Sequence, residues 1–163
     1  MAAASPLRPG IDAFHRERSR CVDAFALAER AVNNLLDLTA SKRGGEPLKQ
    51  RITNLRKAKT SPRYSAASKK SVEVALNELE ARLPLRADIV HGCLQLAEFE
   101  NENRACFANA RQDSGPGTQM QVFSLADFRE VTRQVSEIAA ELGCKPNPPS
   151  SPPPPSPGAA DGP

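Results

Sequence analysis

The stretch Leu83-Pro-Leu-Arg86-Ala-Asp-Ile-Val-His91-Gly92 decides how this chain is read. Proline has no backbone N–H and clashes with the preceding turn, so Pro84 ends or kinks the helix before it. It is well tolerated in a first turn, so a new helix can begin at the same place. Leu85, Ile89, Val90, Cys93, Leu94 and Ala97 follow at helical steps and predict a helix to about Glu100. At about 100° per residue, Arg86 and His91 lie about 140° apart around that helix. A single copy does not easily focus both on one bound atom. Two copies packed across a twofold axis do, each giving an Arg and a His to one shared cleft.

Working outward, Ile11 to about Ala40 carries Phe14, Cys21, Val22, Phe25, Ala28, Val32, Leu35 and Leu36 at three- and four-residue steps, a long amphipathic helix. Gly44, Gly45 and Pro47 end it. A short helix from Leu48 to Ala58 turns Ile52 and Leu55 inward, and a third, from about Ser65 to Arg82, carries Val72, Ala75, Leu76 and Leu79. Beyond the motif, Arg104 to Ala110 and Thr118 to Phe123 flank the turn signal Asp113-Ser-Gly-Pro-Gly117 and predict a small hairpin. The last helix opens on Ser124 with Asp127 three residues on, a capping box, with Phe123 and Phe128 as its hydrophobic staple. Leu125, Phe128, Val131, Val135, Ile138 and Leu142 form its stripe, and Gly143 and Pro146 stop it.

Arg86-Ala-Asp-Ile-Val-His91-Gly92, an Arg-x4-His followed by Gly at the start of a helix, resembles the signature of the HEPN superfamily. The similarity covers roughly residues 10 to 143. It implies an all-α fold, a HEPN-like bundle of four to five helices with a small β-hairpin insert before the last helix. It also implies a homodimer with the motif lining the interface, and a metal-independent endoribonuclease of toxin or defence type. In that chemistry the RNA 2′-hydroxyl attacks the adjacent phosphate. Carried over residue by residue, His91 is the proton acceptor or donor. Arg86 is the phosphate clamp, and Asp88 orients the imidazole. No cofactor and no metal enter the reaction; RNA is the substrate, and an antitoxin or other partner protein is a further expected partner. The sequence departs from the active pattern at Ala87, where the family usually carries a polar residue, and 87 shares a face with His91. A catalytically inactive, dimeric interaction or RNA-binding module is therefore the alternative, and an unrelated helical adaptor a third. In plain structural terms, His91 would be a hydrogen-bonded interface histidine and Arg86 would pair with Asp88 or another acid. Glu29, beside the first helix's apolar stripe, is a candidate to face the motif, with a solvent-exposed position the favoured alternative, and His15 sits in a charged, solvent-facing stretch.

Composition limits the rest. A chain of 163 residues holds one ordinary domain, organised as a flexible N-terminus (1–10), a helical domain (11–143) and a tail (144–163). Nine prolines fall between Pro146 and Pro163 with no large apolar side chain, which predicts a disordered, polyproline-like tail. Four separated cysteines (Cys21, Cys93, Cys106, Cys144) and two histidines have no zinc-site spacing, and the cysteines are expected as free thiols. No apolar run suffices for a membrane span and Met1 to Gly10 has no signal-like core, so a cytoplasmic protein is expected. Residues 42–70 hold ten Lys or Arg against one acid, Glu46, a net +9 that leaves −6 elsewhere in a chain of total charge +3. That block suits a polyanion such as RNA, with Lys49, Arg51, Arg56, Lys57 and Lys59 as the candidate contacts. The alternative is a solvated connection.

Overall fold

A computed structural model describes residues 9–39, 45–108 and 121–143. Helix α1 (Ile11–Asp37) is the axis of the fold. Its stripe of Phe14, Cys21, Ala24, Phe25, Ala28, Val32, Leu35 and Leu36 is buried, and the longest face-to-face contact it makes is with α5 (Leu125–Gly143). From α5, Phe128, Val135, Ile138 and Leu142 complete that seam. Helix α3 (Ala66–Ala81) packs on α5, while α2 (Leu48–Lys57) bridges α1 and α3 through Leu48, Ile52 and Leu55. Two of the helix starts have a visible physical cause. Ser65 Oγ accepts from Ser68 N–H to start α3. At α5, Ser124 N–H donates to Asp127 Oδ2 at 2.7 Å and Asp127 N–H to Ser124 Oγ at 3.1 Å, the reciprocal capping box. The staple is formed too, with the Phe123 and Phe128 rings 5.1 Å apart.

The molecule is mostly helical with a small antiparallel sheet inserted before the last helix, and two details of the expectation need correction. The single long helix from Pro84 to Glu100 is not formed. Helix α4 spans only Leu83–His91, and Cys93–Phe99 is a strand, β1. The insert is also larger than a hairpin. Strand β1 pairs antiparallel with β2 (Glu102–Ala108), which pairs antiparallel with β3 (Gln121–Phe123), giving a three-stranded sheet in the order β1-β2-β3. The β2–β3 pairing agrees with the predicted hairpin, and its turn lies outside the described residues. Gly92 explains the break between helix and strand. A Cβ there would stand 2.4 Å from the Asp88 carbonyl oxygen and 3.1 Å from Phe107 Cβ, so the backbone turns under Phe107 where only glycine fits. Beyond it, Leu94 and Leu96 alternate with Cys93 and Gln95, and β2 supplies the ladder partner. Phe107, Phe123 and Phe128 then close the sheet onto α5 as an aromatic cluster, with Phe107 edge-on to the other two rings.

Ion pairs pin the helices to one another. Glu17, buried on α1, accepts from Arg129 of α5 at 3.2 Å and from Arg20 at 3.1 Å. Arg56 of α2 reaches Glu73, Asn77 and Glu80 along α3. Cys21 and Cys106 are buried as small apolar residues, and burial raises both thiols above their ordinary pKa. Cys93 is exposed, because the strand turns it outward, and Cys144 lies outside the described residues. So do the Pro-rich tail and most of the N-terminal segment (1–8). Among the described residues, no helix is long and apolar enough to cross a membrane.

Candidate functional site

Helix α4 is short because both of its ends are fixed by chemistry, Pro84 at the first turn and Gly92 beyond the last. Ile89 is its fully buried residue and anchors it to the core. Arg86 is half-buried and directed at α1, where its Nη2 donates to Glu29 Oε2 at 3.1 Å. The acid that Arg86 pairs with is therefore on another helix, and Glu29 faces the motif. Glu29 is also shared: its Oε1 accepts from Arg51 of α2, whose Nη1 donates to Asn33 Oδ1 at 2.7 Å. Three helices thus meet at one carboxylate. Beside this chain of charges is an open hollow of about 640 Å³ lined by Ala26, Glu29, Arg30, Asn33 and Asn34.

His91 closes α4 and is exposed, whereas Asp88, one turn back, is half-buried with its carbonyl accepting from Gly92 N–H at 2.8 Å. Ala87 is half-buried. Within the single chain, then, Arg86 is gathered toward α1 while His91 opens to solvent at the end of the helix. His15 is exposed on α1 and lines, with Arg18, Ser19, Val22 and Asp23, a second hollow of about 320 Å³.

Arg18 is the residue whose role the sequence does not announce. Its Nε donates to the Ile89 carbonyl at 2.8 Å, and its Nη2 to the carbonyls of Val90 at 3.2 Å and Gly92 at 3.0 Å. The last carbonyls of a helix have no partner within it and carry partial negative charge, so a guanidinium there satisfies both needs. The same guanidinium stands 5.6 Å from the centre of the Phe107 ring. A signal is present all the same: Glu17 and Arg18 fall between Phe14 and Cys21, where the period demands buried positions. Two charges on an apolar stripe require partners, and Arg129 and the end of α4 are those partners.

The five candidate RNA contacts divide into two groups. Arg51 and Arg56 are committed to Glu29 with Asn33 and to Glu73 with Glu80. Lys49, Lys57 and Lys59 are exposed. Lys69 is used structurally, its Nζ donating at 2.8 Å to the carbonyls of Arg56 and Ala58 at the end of α2. Among the described residues no group of three or more His, Cys, Asp or Glu is placed to hold a metal ion. Comparison with protein-family models, with curated proteins and with solved structures gives no match.

Proposed function

We propose that this chain is a HEPN-like domain that acts on RNA as a homodimer, cleaving it without a metal in a cleft shared by Arg86 and His91 of both subunits. The observation that supports this reading most is the division of labour on α4: an exposed His91 at its end and a half-buried Arg86 one and a half turns earlier. His91 takes the proton from the 2′-hydroxyl as its oxygen bonds to phosphorus. The bond to the 5′-oxygen breaks, and that oxygen receives a proton from the second His91. Arg86 neutralises the charge that builds on the phosphorane. To do so it exchanges Glu29 for phosphate oxygens.

That exchange favours a second reading on a specific observation. Arg86 is already paired with Glu29, and Ala87 offers His91 no polar group one turn back. A silent dimeric module that binds RNA or a protein partner, such as an antitoxin, needs neither side chain freed. The test is RNA cleavage by purified protein in a chelator, with His91→Ala beside it. The nuclease reading expects cleavage, reduced on the order of 10²-fold or more by the substitution, as for loss of a general acid or base. Equal cleavage by both proteins means contamination and defeats it. No cleavage by a dimer that binds RNA supports the silent module. A strict monomer by light scattering removes the shared cleft from both.

A further inference from the structure

We infer that Arg18, far from α4 in sequence, is the positioning residue for His91, holding the end of α4 in the orientation the proposed RNA site needs. The inference rests on that reading for its functional part and on geometry for the rest.

The three carbonyls that Arg18 grips belong to Ile89, Val90 and Gly92, so its bonds straddle His91 along the backbone. His91 itself is exposed, and its place is set by the main chain that carries it. Beside the Arg18 bonds, that main chain is held by the helical hydrogen bond from Gly92 N–H to the Asp88 carbonyl. Arg18 is fixed in turn from both directions. It sits on α1 between the buried Phe14 and Cys21, and its guanidinium is set against the Phe107 ring of β2. Phe107 also closes over Gly92. One side chain therefore ties the last turn of α4 to α1 and the sheet, at the junction where helix becomes strand. Charge-assisted hydrogen bonds to three carbonyls require the planar, forked guanidinium; an ammonium on a flexible stem keeps the charge but not the geometry.

The experiment compares the full chain with Arg18→Gln and Arg18→Lys, using backbone amide hydrogen exchange by NMR and, in parallel, RNA cleavage in a chelator. Arg18→Gln is expected to speed exchange at Gly92 by about tenfold or more, the equivalent of roughly one lost charge-assisted bond, with amides in α3 and α5 unchanged. In cleavage, kcat falls by a similar factor while KM stays within about twofold, since the group lost orients the acid–base and does not hold substrate. Arg18→Lys falls between. Unchanged exchange at Gly92 overturns the inference, as does a change in KM with kcat preserved. Exchange that rises throughout the molecule also overturns it, since Arg18 would then serve general stability. If the wild-type protein cleaves no RNA, the functional reading fails on its own, and exchange at Gly92 still decides whether Arg18 positions His91.

Discussion

Tyr64, the chain's single tyrosine, is 1% exposed in the turn that links α2 to α3. Its backbone pairs with Ser61 in both directions, at 2.9 and 3.1 Å, and Ser61 Oγ donates to the Leu38 carbonyl at the end of α1. Burial, with the negative charge of Glu73 behind it, pushes the phenol up to about 12. The unfolded phenol ionises near its ordinary value of about 10. The folded state therefore holds the proton more tightly, so this contribution to stability is complete below about pH 10 and is lost as pH rises toward 12. With one tyrosine and no tryptophan, absorbance at the tyrosinate band reports this residue alone. The folded protein should titrate with a midpoint near 12 and the denatured chain near 10. Tyr64→Phe should remove part of the alkaline loss of stability. A folded-state midpoint near 10 would mean that the hydroxyl reaches water. At this scale some assignments are legible in the sequence and others are not. Apolar period gives most of the buried positions of α1, α3 and α5, but it also counts Cys93, which is exposed, and passes over Tyr64 and Glu17, which are buried. It does not give the partner each charge finds, because Glu29 meets Arg86 across 57 positions and Arg18 meets Val90 across 72.

At the scale of elements, α1, α2, α3 and α5 can be read in advance because each carries a stripe, and punctuation marks helix ends at Pro84, the Ser124–Asp127 box and Gly143. The first strand escapes that reading because Ile89, Val90, Cys93, Leu94 and Ala97 satisfy a helical step across a boundary that only Gly92 marks. What settles it is the ladder to β2, a partner no local pattern reveals. The β1–β2 turn hides its signal as well. Phe99 pairs with Glu102, so Glu100 and Asn101 form a two-residue loop, and both have positive φ, 48° and 66°. A two-residue hairpin favours that geometry because it matches the strand twist, but Asn-Gly is the sequence that adopts it cheaply. Glutamate in the left-handed region is strained. The double substitution Glu100→Asn with Asn101→Gly should stabilise the protein by about 1 kcal/mol in urea unfolding with an unchanged m-value. A loss of stability would show that the Glu100 side chain contributes more than its backbone strain costs.

Across the whole molecule, the basic block from 42 to 70 is one feature in the sequence, and folding separates it into two. Arg51, Arg56 and Lys69 are spent on holding α1, α2 and α3 together through carboxylates and helix-end carbonyls. Lys49 and Lys57 lie on α2 and Lys59 just past it, exposed to solvent. Lys42 and Arg43 lie outside the described residues. Net charge over a window cannot make this division, since it depends on which acids the fold brings near: Glu29 comes from α1, Glu73 and Glu80 from α3. If the chain binds RNA as proposed, the two groups should behave differently toward it. Each phosphate neutralised on a single strand contributes about 0.7 to the slope of log affinity against log salt. Changing Lys49, Lys57 and Lys59 together to Gln should therefore flatten that slope by about 2, if each meets one phosphate, while leaving the melting temperature nearly unchanged. Arg56→Gln should do the reverse: it leaves Glu73 and Glu80, two turns apart on α3, without their shared cation, lowering stability by about 1 kcal/mol, with the salt slope intact. An RNA affinity insensitive to the three lysines would place the nucleic-acid face elsewhere on the molecule and reduce this block to its structural half.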